Sequence, residues 1–367
     1  MKILTVMGAR PQFIKAAVIS RELRGRNGMQ EILVHTGQHF DRNMSDVFFE
    51  ELEIPPPDYH LGIGGGTHGQ NTGRMIEAVE KVLLDEKPDW VLVYGDTDST
   101  LAGGLAAVKL HIPLAHVEAG LRSFNRKMPE ELNRILTDHS ADLLFAPTEA
   151  AVRNLSKENI QGEKVCNVGD VLYDASIYYG EKAEKSSNIL KKLNLDSKKY
   201  ILATLHRQEN VDDRIRFRNI LDGFALSQKS IILPLHPRTR KKILEFGLDM
   251  PKSVQTIDPV GFLDMVMLEK HACLIATDSG GVQKEAYFHS VPCITLRDET
   301  EWIELVESGW NKLAGSSSDK FIAAVEEMHE GYSPGPRISY YGYGNSSARI
   351  VDALVQYDLQ ILHGKDF

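Results

Sequence analysis

The sequence has few cysteines, no excess of positive charge and no long apolar run. Its 367 residues include three widely spaced cysteines, Cys166, Cys273 and Cys293. An odd number of isolated cysteines does not suit a disulfide framework or a zinc site, and it fits a reducing compartment. The net charge of −9 argues against a general nucleic-acid binder and against a polybasic membrane anchor.

No stretch approaches the roughly 20 consecutive apolar residues that a membrane-spanning helix needs. The first residues, MKILTVMGARP, hold one lysine and a short apolar run that Arg10-Pro11 interrupts, so they do not resemble a secretory signal. We therefore expect a soluble cytoplasmic protein with neither a membrane nor a nucleic acid as partner. A chain of 367 residues is longer than one core usually supports, which predicts two domains.

Apolar strands alternate with amphipathic helices in both halves of the chain. The predicted strands are 2–7, 31–37, 90–95, 112–118, 142–147, 200–205, 230–235, 254–259, 272–277 and 292–296. This alternation predicts two α/β domains, each a parallel sheet with helices on both faces. The segment 54–70, with three prolines and five glycines, predicts no regular structure, whereas 346–362 predicts a closing helix.

Ligands of such domains bind beyond the carboxyl ends of the strands, so residues that directly follow a strand are the candidates for chemistry. Glu118 ends strand 112–118, and Glu130 lies in the first turn of a helix that Pro129 begins. Asp96 follows strand 90–95. The simplest alternative, a solvated surface ion pair, applies best to Glu131 and Arg134, which are three residues apart on one helix face.

The first strand leads into Gly8-Ala9-Arg10-Pro11, a tight turn before a helix. This turn can direct Arg10 and Lys15 at a phosphate, or it can carry two solvated cations; the spacing alone does not favour either. It lacks the glycines of a dinucleotide-binding fingerprint. Residues 64–69 match G-x-G-x-x-G formally, but they follow prolines rather than a strand.

In the second half, the motif TDSGGVQKE (277–285) joins a strand to a helix. Backbone N–H groups at such a turn can receive a diphosphate, and Glu285 can accept hydrogen bonds from a ribose. The alternative is an ordinary helix cap at Asp278 or Ser279. His206 and His236 also follow strands. Since no carboxylate nearby completes a metal triad with His111 and His116, we expect no metal site.

Six segments together resemble one family. GARPQFIK, YGDTDST, HVEAGLRSFNRKMPEELNR, LHRQEN, LPLHPR and TDSGGVQKEA occur in the order and rough spacing of the non-hydrolysing UDP-N-acetylglucosamine 2-epimerases, across residues 1 to about 360. The resemblance implies an α/β glycosyltransferase-B fold, with two Rossmann-like domains facing across a cleft and the C-terminal helix returning to the N-terminal domain. We expect domains at 1–170, completed by 346–367, and at 171–345.

The resemblance also implies an isomerase that interconverts UDP-N-acetylglucosamine and UDP-N-acetylmannosamine for cell-surface polysaccharides. UDP leaves C1 as a proton leaves C2, and UDP returns to the 2-acetamidoglucal after protonation of the opposite face. By this resemblance, the carboxylates for proton transfer are Asp96, Glu118 and Glu130, and the contacts to the leaving group are Arg10, Lys15 and His206. The UDP-phosphate loop matches Ser279, Gly280 and Gly281, and the ribose contact matches Glu285. Weaker matches near the nucleotide and uracil are His236 and Phe262. No cofactor or metal is implied, and relatives are commonly homodimers.

Several alternatives stay open at this point. The run Phe40–Asn43 after Gln38-His39 departs from the family's arginine-containing run, so a second, allosteric UDP-sugar site is undecided. NMSDVFFEEL and LGIGGGTHGQ resemble a subgroup that acts on UDP-2,3-diacetamido-2,3-dideoxyglucuronate. A glycosyltransferase of the same fold, a nicotinamide-dependent sugar dehydrogenase and a non-catalytic UDP-sugar-binding protein are the other functions considered.

Overall fold

The computed structural model describes residues 1–38, 49, 51–328, 332, 334 and 338–363, with the side chains of 358–363 left out. The open question about Phe40–Asn43 lies outside this part of the chain. The chain divides into two compact units. Unit 1 comprises Met1–Ala175 and Ser339–Phe367, and unit 2 comprises Ser176–Ile338.

Each unit contains one parallel sheet. The sheet of unit 1 has the order β3-β2-β1-β4-β5-β6-β7, and its strands are β1 Lys2–Met7, β2 Gln30–His35, β3 Tyr59–His60, β4 Trp90–Tyr94, β5 Leu114–Val117, β6 Leu143–Ala146 and β7 Val165–Asn167. The sheet of unit 2 has the order β10-β9-β8-β11-β12-β13, and its strands are β8 Ile201–Thr204, β9 Ile231–Pro234, β10 Val254–Ile257, β11 Leu274–Thr277, β12 Cys293–Thr295 and β13 Asn311–Leu313.

Helices follow most of these strands. In the described part of the chain they are α1 Arg10–Arg24, α2 His68–Glu86, α3 Asp98–Lys109, α4 Pro129–Ser140, α5 Glu149–Lys157, α6 Val171–Ser186, α7 Ile189–Lys192, α8 Gln208–Val211, α9 Arg214–Leu226, α10 Pro237–Phe246, α11 Phe262–His271, α12 Gly280–Phe288, α13 Ile303–Glu307, α14 Ser318–Glu327 and α15 Ser346–His363. None of them is long and apolar enough to cross a membrane.

Burial explains why the strands appear in the sequence as continuous apolar runs. All five residues of β4, WVLVY, are buried, as are the four residues of β5, LAHV. A parallel sheet that is covered by helices on both faces leaves little strand surface in contact with water, so its strands are mostly apolar. The predicted α/β class with two parallel sheets is therefore confirmed.

The C-terminal helix belongs to unit 1, as predicted. α15 contacts α1, and Asp352 on α15 accepts a hydrogen bond from Arg26 at 2.7 Å. The aromatic ring of Tyr357, also on α15, packs edge-on against Trp90 of β4, with 5.5 Å between the ring centroids. The helix begins where Asp174 accepts hydrogen bonds from the backbone N–H groups of Ser346 and Ser347.

The strand orders place a topological switch point in each sheet. In unit 1 the chain runs outward on one side of β1 and resumes on the other side with β4. In unit 2 the same change occurs between β8 and β11. Loops that follow neighbouring strands diverge at such a point, and open α/β sheets bind their ligands there.

The prediction for segment 54–70 was wrong. Tyr59–His60 forms the short edge strand β3, which pairs in parallel with β2. The helix α2 already begins at His68, because Thr67 caps it and Gln70 completes a capping box. Strands of two or three residues, such as β3, β7 and β13, are too short to show a periodicity and depend on their neighbours for pairing.

Candidate active site

The turn after β1 is fixed by a single glutamine. The side-chain oxygen of Gln12 accepts hydrogen bonds from the backbone N–H groups of Gly8 and Ala9 at 2.8 and 2.9 Å. Its amide nitrogen donates to the carbonyl of Tyr94 at 2.9 Å, so the turn after β1 is attached to the end of β4. Gly8 is needed here, because a Cβ atom would lie 1.9 Å from Oγ1 of Thr36.

Lys15 lies one turn into α1 and is only 5% exposed. Its ammonium group forms an ion pair with the Glu118 carboxylate at the end of β5. Glu118 has a φ of 72°, in the left-handed region that non-glycine residues rarely occupy. Backbone strain of this kind is characteristic of functional sites. Lys15 is therefore not the solvated cation that the sequence left open.

Asp96 follows β4, between the ends of β1 and β5. Its carboxylate forms an ion pair with Arg134 of α4, and its carbonyl accepts a hydrogen bond from Asn133 at 3.0 Å. The same Asn133 amide donates to buried Asp98 at 3.1 Å. Two residues of α4 thus hold the turn that carries Asp96, whose side chain stays 30% exposed.

The adjacent glutamates of α4 face different surroundings. Glu130 is exposed in the first turn. Glu131 is 1% exposed and accepts hydrogen bonds from the backbone of Ser123 and Phe124, both at 2.9 Å, and from the Ser123 hydroxyl. Arg134 donates to it at 3.1 Å. The interpretation of Glu131 and Arg134 as a solvated surface pair was wrong, because Glu131 anchors the loop that follows β5.

In unit 2, the loop after β8 depends on Asp278. This fully buried carboxylate accepts hydrogen bonds from the backbone N–H of His206 at 3.1 Å and of Arg207 at 2.9 Å. Asn210 donates to it at 3.3 Å. The His206 ring stays exposed above it, with Nδ1 3.5 Å from a carboxylate oxygen of Asp278. The sequence suggested Asp278 only as a helix cap and missed this role.

The helix α12 begins directly after β11, and Ser279 is its cap, accepting from the backbone N–H of Val282 at 3.5 Å. A Cβ atom at Gly280 would lie 2.4 Å from the Glu301 carboxylate, so this glycine is packed against protein. At Gly281 the nearest such contact is Ser279 Oγ at 3.9 Å. Gly281 is therefore not tightly packed on the side of its missing Cβ atom, at the positive end of a helix, where anions bind.

Glu285 lies one turn into α12 and interacts with a buried carboxyl group, Glu269 of α11. Burial raises the pKa of Glu269 well above its ordinary value, and the negative charge of Glu285 adds to this increase. Phe262, at the start of α11, is buried and meets Tyr179 edge-on with ring centroids 5.3 Å apart. His236 caps α10 by accepting from the backbone N–H of Arg238 at 3.2 Å.

In each unit several candidates follow neighbouring strands of the sheet. In unit 1, Lys15, Asp96 and Glu118 follow the neighbouring strands β1, β4 and β5, with Arg10 at the start of α1 and Glu130 on α4. In unit 2, His206 and the Ser279–Gly281 turn follow the neighbouring strands β8 and β11. Among the described residues no group of three His, Cys, Asp or Glu side chains is arranged to hold a metal ion.

Comparison with known proteins gives one consistent result. The family model for UDP-N-acetylglucosamine 2-epimerase matches residues 21–355. A UDP-N-acetylglucosamine 2-epimerase homolog of Methanococcus maripaludis is 52% identical over 361 residues, covering 96% of this chain and 99% of the relative. The UDP-2,3-diacetamido-2,3-dideoxy-D-glucuronate 2-epimerase of Pseudomonas aeruginosa is 50% identical over 365 residues, covering 97% of this chain and 100% of the relative.

Solved structures agree with the sequence relatives. The crystal structure of the Methanocaldococcus jannaschii UDP-GlcNAc 2-epimerase, in complex with UDP-GlcNAc and UDP, superposes with a TM-score of 0.87 at 48% identity, covering 97% of this chain and all of that one. This likeness confirms the predicted fold class. Since a family model covers most of the chain and relatives match it along nearly its whole length, the protein belongs to the UDP-N-acetylglucosamine 2-epimerase family.

Proposed function

We propose that this protein is a non-hydrolysing epimerase that interconverts UDP-N-acetylglucosamine and UDP-N-acetylmannosamine. The observation that carries the proposal is the group at the switch point of unit 1. There a buried lysine and two carboxylates, Lys15, Asp96 and Glu118, follow three neighbouring strands. Because the chain is 52% and 48% identical to two relatives named as UDP-N-acetylglucosamine 2-epimerases or their homolog, we assign epimerisation to this group of residues.

Unit 2 binds the UDP portion in this proposal. The diphosphate is received by the positive end of α12 at Ser279, Gly280 and Gly281, and Glu285 accepts hydrogen bonds from the ribose hydroxyls. His236 and Phe262 contribute to the nucleotide site. The support is the loose packing at Gly281, where the nearest contact of an added Cβ atom would be Ser279 Oγ at 3.9 Å.

The chemical step needs a base to remove the C2 proton and an acid to return one to the opposite face. We assign these tasks to Asp96, Glu118 and Glu130. A cation pairs with each of the first two, Arg134 with Asp96 and Lys15 with Glu118, and stabilises the carboxylate form between proton transfers. Arg10, Lys15 and His206 stabilise the negative charge that develops on the leaving diphosphate.

Proton nuclear magnetic resonance of the pure protein with UDP-N-acetylglucosamine in D2O tests the proposal. We expect deuterium at C2 and appearance of the manno epimer without any acceptor. Asp96→Asn, Glu118→Gln and Glu130→Gln should each lower kcat by about 100-fold or more while calorimetry shows unchanged affinity for UDP. Wild-type rates in all three variants would overturn the assignment, and a requirement for an acceptor would indicate a glycosyltransferase.

A second substrate, UDP-2,3-diacetamido-2,3-dideoxyglucuronate, is favoured by the 50% identity with the Pseudomonas aeruginosa enzyme of that name. The chemistry at C2 is the same, but this sugar carries an additional carboxylate and an additional acetamide. Running the same experiment with both UDP-sugars ranks them by kcat/KM. A ratio above about 100 in favour of the glucuronate would make it the native substrate.

Family resemblance also leads us to propose a cytoplasmic homodimer that supplies precursors of cell-surface polysaccharides. Light scattering should then give twice the chain mass of 41.1 kDa. We place the domain boundaries at 1–170 with 346–367, and at 171–345, a division that the two compact units support. Separate expression of 171–345 should yield a folded domain that binds UDP.

A further inference from the structure

A fully buried histidine lies between two acceptors at the end of β5. Nδ1 of His116 is 2.7 Å from a carboxylate oxygen of Asp138, and Nε2 is 2.7 Å from the carbonyl oxygen of Gly95. A carbonyl oxygen only accepts, and so does a carboxylate. The ring makes both hydrogen bonds only when both of its nitrogens carry hydrogen, as a buried imidazolium.

Asp138, on α4, is the centre of a larger set of contacts. Besides His116, it accepts hydrogen bonds from the backbone N–H of Gly120 at 3.0 Å and from Arg122 at 2.6 Å. Arg122 in turn binds both carboxylate oxygens of Glu158, at 2.7 and 2.8 Å. Two cations and two anions therefore balance one another, which is the condition for keeping charges buried.

These charges also determine the pKa of Asp138. Burial alone would raise the pKa of this carboxyl group, but the pairs with His116 and Arg122 hold it below its ordinary value. Asp138 therefore remains an acceptor, and both hydrogen atoms of the His116 ring are directed outward to their two partners.

The contacts of His116 and Asp138 end at the two turns that carry the proposed acid/base residues. Gly95, with a φ of 63°, immediately precedes Asp96. Gly120 follows Glu118 by two residues. The last hydrogen bond between β4 and β5 runs from the Gly95 N–H to the Val117 carbonyl at 2.9 Å. His116 adds a second link to the same residue, through the carbonyl oxygen of Gly95.

We propose that His116 and Asp138 are positioning residues, which hold the Asp96 turn and the Glu118 turn at a fixed separation for proton transfer at C2. This inference rests on the proposed epimerase function. Neither side chain touches the sugar in this arrangement. They act through Gly95 and Gly120, because a displacement of about 1 Å in a reacting group can cost about 100-fold in rate.

Two amide substitutions separate the two hydrogen bonds of His116. The Nε2 group of glutamine reaches the position of the histidine Nε2 and keeps the donor to Gly95, while His116→Asn keeps only the donor to Asp138. We expect His116→Gln to lower kcat by about tenfold at most and His116→Asn by about 100-fold, with KM and the Kd of UDP changing by less than about threefold.

Asp174→Asn is the matched control, because Asp174 is an equally buried carboxylate of unit 1 that binds the start of α15. We expect it to lower the melting temperature and to leave kcat unchanged below that temperature. If the role of His116 is purely structural, the glutamine and asparagine variants should lose kcat equally, or the loss of kcat should be proportional to the loss of melting temperature in the two His116 variants and Asp174→Asn. Either result would overturn the inference while the epimerase function stands.

If the wild-type protein epimerises neither UDP-sugar, the proposed function fails and a second measurement decides about His116. Nitrogen-15 spectra of the labelled wild-type protein should show both His116 ring nitrogens acting as hydrogen-bond donors, with the assignment made by loss of the signals in His116→Gln. A singly protonated ring would overturn the inference directly.

Discussion

Exchanging each of the two adjacent glutamates of α4 for glutamine should separate stability from catalysis. Glu131 is 1% exposed, and its carboxylate receives two backbone N–H groups, one hydroxyl and one guanidinium. Glu130 is exposed in the same helical turn. Glu131→Gln changes only one oxygen to an NH2 group, so any effect arises from charge and hydrogen bonding rather than from side-chain volume.

The magnitude follows from the hydrogen bonds that glutamine cannot make. One oxygen remains to accept, but the NH2 group then faces a backbone N–H of Ser123 or Phe124 and leaves it unsatisfied. Hydrogen bonds to charged groups contribute about 1.5–3 kcal/mol each, and an unsatisfied buried donor costs about 1–3 kcal/mol. We expect Glu131→Gln to destabilise unit 1 by about 2–4 kcal/mol, which lowers its melting temperature by ~4–16 °C.

Thermal unfolding followed by circular dichroism gives the stability, and C2 deuterium exchange gives the activity. Glu130→Gln is the control, for which we expect a melting temperature within about 2 °C of wild type and the loss of turnover proposed above. Glu131→Gln should retain substantial turnover well below its melting temperature. Wild-type stability for Glu131→Gln, or a marked loss of stability for Glu130→Gln, would refute the structural division between these residues.

Three further outcomes are expected. Gly281→Ala should keep wild-type stability and weaken UDP binding by about tenfold or more in calorimetry, because the added methyl group lies at the loosely packed start of α12, where we propose that the diphosphate binds. Glu269→Gln should be more stable than wild type at pH 8 but not at pH 4, as measured by denaturant titration. Burial and the charge of Glu285 raise the pKa of Glu269 above its ordinary value of 4.5. The wild-type protein therefore loses stability as the pH rises through the folded-state pKa, whereas the glutamine variant does not. Asp278→Asn should lower both the melting temperature and the affinity for UDP, because the buried acceptor of the His206 loop loses its negative charge and one of its two accepting oxygens; unchanged values of both would show that the loop does not need this charge.

The sequence predicted the sheets and the strand-end positions of the candidates well. Continuous apolar runs such as WVLVY favour a strand covered on both faces, and each of the ten predicted strand segments overlaps a strand of the structure. Once the strands were placed, the residues after them followed, so Asp96, Glu118 and His206 were selected without knowledge of any contact. Their roles in catalysis stay predictions.

What the sequence could not supply is the partner of each charge. Glu130 and Glu131 are neighbours in a helix, and only the packing of the 123–124 loop makes one of them buried. Asp278 looked like a helix cap, because its donors come from a loop about 70 residues earlier in the chain. His116 gave no signal either, since both of its acceptors are reached only through the folded sheet.

The buried residues that pair with these charges explain how several charged side chains can follow neighbouring strands while the turns keep a fixed conformation. Glu118 has a left-handed backbone conformation and pairs with Lys15, and the N–H of the nearby Gly120 donates to Asp138. A carboxylate that must face one side of a sugar ring cannot be left to a mobile loop. We therefore expect buried charges such as Asp138 to position the proposed acid/base residues without touching the substrate.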